Sequence, residues 1–157
     1  MKKQKGFSLI ELLVVVAIIL IIAAIAIPKL MSARATSAES AAVGSMRSFT
    51  TALAGYQSKY GNFPTTMSML GGDCTTTPPT PALACQLDDV IAKAVTVTPI
   101  GAYVWTYTPS TGGGSFVLLA DPAPGVSSLI TRHLWTSDGF VVHKNDTAPA
   151  SATDPTL

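Results

Sequence analysis

The sequence predicts an α+β protein: a long N-terminal helix, with a transmembrane half and an amphipathic half, packed on a small antiparallel sheet of three to four strands. Three observations carry this expectation. An apolar run extends from Phe7 to Ile27, with Glu11 its only charge. A helix-period seam of large apolar residues follows, with no proline from Ala35 to Tyr60. Beyond Pro99 the hydrophobic period changes to two, the period of strands.

The first stretch has the length of a membrane span. About 21 residues at 1.5 Å each give roughly 31 Å of helix, close to the hydrocarbon thickness of a bilayer. The run is apolar all round, and the rest of the 157-residue chain is too small to wrap it as a soluble core helix. Lys2, Lys3 and Lys5 precede it and outweigh Lys29 and Arg34 beyond it. The positive-inside rule then places the N-terminus in the cytoplasm and the remainder outside.

An ordinary secretory signal has a shorter apolar stretch that ends in a small-residue cleavage site. Here the stretch is too long and ends at Ile27-Pro28-Lys29-Leu30. The break in composition falls earlier, at Gly6-Phe7. The segment Lys5-Gly6-Phe7-Ser8-Leu9-Ile10-Glu11-Leu12-Leu13-Val14-Val15 resembles the class III signal of type IV pilins and type II secretion pseudopilins. The resemblance implies a leader ending at Gly6, cut by a membrane prepilin peptidase, and N-methylation of the new terminus, Phe7. It implies that Glu11 is the assembly glutamate and Pro28 the helix-kinking proline. The implied layout is a leader at 1–6, a transmembrane and filament-core helix half at 7–28 and an amphipathic half at 29–60. An extracytoplasmic head at 61–144 completes it, and the Thr/Ala/Pro-rich composition from Asn145 onward predicts a flexible tail at 145–157.

Elementary energetics single out the same glutamate. A carboxylate inside a membrane helix costs about 2.5–3.5 kcal/mol on insertion scales, so it calls for a partner. No cation lies within one turn of Glu11 except the amine that cleavage before Phe7 would create. In the family that role falls to the terminal amine of a neighbouring subunit. Snorkelling of Glu11 towards the headgroups is the plainer alternative. Pro28 lacks an amide donor and should kink the helix without ending it, because the helical pattern resumes at once.

In the second half, Ala42, Met46, Phe49, Leu53, Tyr56 and Tyr60 recur three or four residues apart and form one apolar face. The opposite face reads Ser37, Ala41, Gly44, Ser48, Thr51, Gly55 and Ser58. Large residues would hold the head. Small ones would permit close helix–helix approach in a filament core, or would simply face solvent. Gly61 supplies a C-cap, with Pro64 beyond it.

In the head, a helical turn is expected near Met67–Leu70 and a short helix over Gln86–Ala94, with Asp88-Asp89 in its first turn. Strands are expected at Ala102–Thr108, Ser115–Ala120, Thr131–Thr136 and Phe140–His143. Thr111-Gly112-Gly113-Gly114 and Ser137-Asp138-Gly139 are their turns. Tyr103, Trp105 and Tyr107 share one face and read as core. The two cysteines, Cys74 and Cys85, lie downstream of the membrane span, where an exported domain favours a disulfide. The aromatic strand, Phe116-Val117-Leu118-Leu119-Ala120 and Asp138-Gly139 also resemble the head of pilin-like proteins.

Other functions find little support. A formal charge of +1, without a basic stripe and interleaved aromatics, calls for no specific nucleic-acid site. No nucleophile–base constellation stands out, so no enzyme and no cofactor are expected. His133 and His143 stand alone in sequence and read as strand-surface residues. The resemblance to pseudopilins, some of whose heads bind calcium, makes Asp121, Asp138 and Asp146 the candidates for that ion, at no recognisable ligand spacing. The reading is a structural subunit of a type IV pilus-like filament serving motility, adhesion or DNA uptake. It would be a homopolymer with other pilin-like subunits, served by prepilin peptidase and an inner-membrane assembly platform. It would reside in membrane lipid before assembly. The alternatives are a type II secretion pseudopilin, with a periplasmic filament, and a membrane-anchored binding domain that never polymerises.

Overall fold

The computed structural model describes residues 7–73, 75, 78–95, 99–126 and 128–157. The chain divides into two compact units, Met1–Ala35 and Thr36–Leu157. Helix α1 (Leu9–Tyr60) contributes to both.

The first unit is the apolar part of α1. The helix continues through Pro28. Proline has no N–H, so the Ala24 carbonyl loses its usual donor there, and the neighbouring turns carry the helix onward. Every large apolar side chain from Leu9 to Met31 is 44–80% exposed. The stretch is long and apolar enough to cross a membrane.

In the second unit, α1 packs against a four-stranded antiparallel sheet, the α+β arrangement expected from the sequence. Strands β1 (Tyr103–Pro109), β2 (Phe116–Pro122), β3 (His133–Ser137) and β4 (His143–Asn145) follow in spatial order, each beside the next. The register aligns Trp105, Ala120 and Leu134 in one row and Tyr107, Leu118 and Thr136 in another. These rows face the helix. Met46, Phe49, Leu53 and Tyr56 are buried on α1, opposite buried Tyr103, Trp105, Phe116, Leu118 and Leu134. Each large side chain so placed contributes about 1.5–3 kcal/mol. Three tyrosines bury their rings and spend their hydroxyls on loop carbonyls. Tyr56 donates to Pro81 O at 2.8 Å, Tyr103 to Arg132 O at 2.9 Å and Tyr107 to Pro64 O at 2.7 Å.

Local chemistry sets the ends of the elements. Gly61, at φ +83°, ends α1, and its N–H donates to Gln57 O at 2.8 Å. The β1–β2 turn docks on the chain just past that cap, where Phe63 N–H donates to Gly113 O at 2.8 Å. A Cβ on Gly113 would lie 2.7 Å from Phe63 O, so only glycine fits this approach.

Several expected boundaries move. Helix α2 is Asp89–Ala94, three residues shorter than expected. Asp88 is its N-cap and not part of its first turn: the Asp88 carboxylate accepts the Val90 and Ile91 amides at 2.9 and 3.4 Å. The chain before it is held otherwise, since Gln86 and Leu87 both donate to Leu70 O of the 3₁₀ turn Met67–Leu70. Strand β4 begins at His143, where Phe140 was expected. Phe140 has φ +56° and donates to Ser137 O at 2.8 Å, so it belongs to the turn. Its ring packs on Phe63 and Phe116, at centroid distances of 6.2 and 6.0 Å.

The segment 145–157, expected as a flexible tail, folds back along β4. Lys144 N–H donates to Pro155 O and Leu157 N–H to Val142 O, both at 2.9 Å. Asn145 Oδ1 accepts the Thr147 and Ala148 amides, and the Asp154 carboxylate accepts the Ser151 amide and the Asn145 side chain. Short polar side chains thus build the turn that composition alone suggested would fray.

Candidate assembly site on the N-terminal helix

Glu11 is the third residue of α1, and Phe7 and Ser8 precede the helix. The Glu11 carboxylate oxygen Oε2 accepts the Ser8 N–H at 3.0 Å. Ser8 O in turn accepts the Leu12 N–H at 3.3 Å, so the helix ladder opens at Ser8. Phe7 is 77% exposed, and around Glu11 the apolar side chains of Leu9, Ile10, Leu12 and Leu13 are exposed as well. The site is therefore one carboxylate in an apolar helical surface, held towards the N-terminal end of its own helix. Chemically it is an acceptor for a cation or a hydrogen-bond donor.

Gly6 lies outside the described residues, as does Cys74. The expected Gly6–Phe7 cleavage point and the Cys74–Cys85 disulfide therefore remain expectations. Cys85 sits in a loop whose backbone is pinned to the 3₁₀ turn, its N–H donating to Gly71 O at 3.1 Å.

The small-residue face of α1 is exposed at Ser37, Ala41, Gly44, Ser48, Thr51 and Ser58. Gly55 differs. The Gln86 side chain lies over it, and a Cβ at Gly55 would meet Gln86 Oε1 at 2.9 Å. This glycine serves a contact within the chain. Further along α1, Ala38, Ala41 and Ala42 line a shallow groove with the segment Ile100–Tyr103.

Away from α1, folding brings together side chains that are far apart in sequence. Arg132 Nη1 lies 3.3 Å from Glu39 Oε2, and Arg132 Nε donates to Asp146 Oδ1 at 3.3 Å. His133 Nδ1 donates to Asp121 Oδ1 at 2.6 Å, so His133 has an acidic partner that its sequence neighbourhood does not announce. His143 Nδ1 donates to Asp154 O at 2.6 Å. The three calcium candidates do not converge. Asp121 faces His133, Asp146 faces Arg132, and Asp138 lies in the β3–β4 turn. Among the described residues no group of three acidic, histidine or cysteine side chains is placed to hold a metal.

The tyrosine environments follow from packing. Burial, reinforced by the Glu39 charge, pushes Tyr103 up to about 12, and burial raises Tyr107 and Tyr56 as well. Together with their hydroxyl bonds to carbonyls, this marks the aromatic face as core. Sequence reasoning missed Glu39, Arg132 and the His133–Asp121 pair, because no local spacing connects them.

Comparison with known proteins bears on the N-terminal site. Residues 1–27 match the prokaryotic N-terminal methylation motif. The chain is 62% identical over 34 residues to the type IV wide pilus major component PilA4 of Thermus thermophilus. That match covers 22% of this chain and 26% of the relative, so it spans about a quarter of the relative's length. No solved structure gives a significant match. The likeness therefore rests on the motif over residues 1–27 and on 34 matched residues.

Proposed function

We propose that this chain is a structural subunit of a type IV pilus-like filament. Its leader is removed between Gly6 and Phe7, Phe7 is N-methylated, and α1 polymerises with the α1 helices of other subunits. The observation that carries this reading is Glu11, the only charge from Phe7 to Ile27, on a helix surface with no cover of its own.

The energetics run in two stages. In the membrane, lipid covers the apolar helix, and the carboxylate is a cost. On assembly, neighbouring helices replace the lipid, and the Phe7 amine of a neighbour neutralises Glu11. The exposed small residues Ala41, Gly44 and Ser48 let a second helix approach closely, and the groove beside Ala38 and Ala42 offers it a second wall. Before assembly the subunit would be a single-pass inner-membrane protein with a cytoplasmic N-terminus. Afterwards it would lie in an extracytoplasmic filament. Among filaments, the likeness to a pilus component favours a pilus over a secretion pseudopilus.

Replacement of Glu11 by Ala tests the mechanism. The variant should insert and be processed, while the sheared filament fraction disappears. Filaments at the wild-type level would overturn the proposal. Mass spectrometry should find a mature chain that begins at methylated Phe7, and an intact Met1–Gly6 leader on the mature protein would refute the processing step.

A further inference from the structure

Glu11 makes a hydrogen bond that its expected ion pair does not require. Ser8 stands immediately before the first helical residue, and Glu11 is third in the helix. Ser8-Leu9-Ile10-Glu11 thus has the order of a capping box, in which the third-position carboxylate reaches back to the amide of the cap residue. The 3.0 Å contact from Ser8 N–H to Glu11 Oε2 is that reach. Helical side chains already lean towards the N-terminus, and this bond selects one rotamer among those available to Glu11.

We infer that the Ser8 backbone amide is a positioning group for assembly. It holds Glu11 at the N-terminal end of its own helix in the single subunit, before any neighbour arrives. The hydrogen bond occupies Oε2. A carboxylate has two oxygens and about four lone-pair sites, so Oε1 can still take an ammonium group. The rotamer entropy of a long acidic side chain is then lost when the subunit folds, not at each step of filament growth. A partly satisfied carboxylate is also less costly in lipid than a bare one. The consequence for assembly rests on the filament reading above, whereas the hydrogen bond itself does not.

The first experiment reads the bond alone. Amide hydrogen exchange at Ser8 is measured by NMR on the full chain in detergent micelles, for wild type, Glu11→Gln and Glu11→Ala. Glutamine keeps an oxygen acceptor and discards the charge. Exchange should be about fivefold slower in wild type and Glu11→Gln than in Glu11→Ala, the usual worth of a cap. Equal rates in all three would overturn the inference. The second experiment reads the consequence. Ser8→Ala keeps the amide and should assemble like wild type. Ser8→Pro lacks it and should yield about tenfold fewer filaments per processed subunit, with processing scored by mass. Equal filament yields would also overturn the inference. Should Ser8→Pro escape processing, the exchange comparison decides alone. Loss of Ser8 protection in Glu11→Ala alongside wild-type filaments would uphold the cap and defeat the filament reading, so the two fail separately.

Discussion

Phe49 of α1 meets Trp105 of β1 edge to face, with ring centroids 4.8 Å apart and planes at 84°. Phe49 is 2% and Trp105 3% exposed, so this contact joins helix to sheet at the centre of the head's core. Edge-to-face pairs add about 0.5–1.5 kcal/mol beyond the area they bury. Phe49→Ala should lower stability by about 3–5 kcal/mol, and Phe49→Leu by clearly less, because leucine refills most of the space. Thermal unfolding of the full chain in detergent checks this. Equal, small losses for both variants would mean the seam does not hold the head.

The two glycines of the β1–β2 turn separate strain from collision. Both have positive φ, +86° at Gly112 and +69° at Gly113. A Cβ at Gly112 meets nothing within 4 Å, whereas one at Gly113 would lie 2.7 Å from Phe63 O. Gly112→Ala should cost about 1 kcal/mol of backbone strain, and Gly113→Ala about 1–3 kcal/mol more. Denaturant midpoints measured side by side would show the order, and a reversed order would contradict the docking of this turn on Phe63.

Thr136 is fully buried on β3, and its Oγ1 has no hydrogen-bond partner among the described residues. Thr136→Val keeps the shape and removes the unpaired hydroxyl. It should be neutral or stabilise the protein by about 1 kcal/mol, whereas Thr136→Ala should destabilise it by leaving a cavity. A valine variant markedly less stable than wild type would reveal a partner for this hydroxyl.

Tyr103 ties the core to high-pH behaviour. Its ring is 1% exposed, and burial raises the hydroxyl to about 12 from 10.0. The folded-state value lies above the unfolded one, so this contribution is fully present below about pH 10 and is lost as pH rises towards 12. The slope from this one group is at most about 1.4 kcal/mol per pH unit. Tyr103→Phe should flatten the decline above pH 10. It should also cost about 1 kcal/mol at neutral pH through the lost bond to Arg132 O. Unfolding curves at pH 7, 10 and 11.5 test both parts.

The amino-acid order by itself determined whatever depends on near neighbours. The apolar run and its single charge, the seam from Ala42 to Tyr56, the Gly61 cap and the period-two aromatic strand are all set within a turn or a few strand residues. Short-range periodicity and capping chemistry suffice for them, so the helix-on-sheet class was legible. So was Glu11, because a charge in a membrane-length apolar run is conspicuous. Even the Ser8–Glu11 bond has a local spacing, that of a capping box.

Tertiary structure decided the rest. Arg132 finds Glu39, and His133 finds Asp121, only after α1 and β1–β3 have taken their places. Gln86 claims Gly55, which periodicity alone assigned to the face left for neighbours. Phe140 leaves its expected strand because its ring gains Phe63 and Phe116 as partners in the turn, which offsets a left-handed backbone. The segment after Asn145 is ordered by Asp154 folding back on it. Each outcome depends on register or on partners distant along the chain, where the free energy of a contact exists only once the fold has formed.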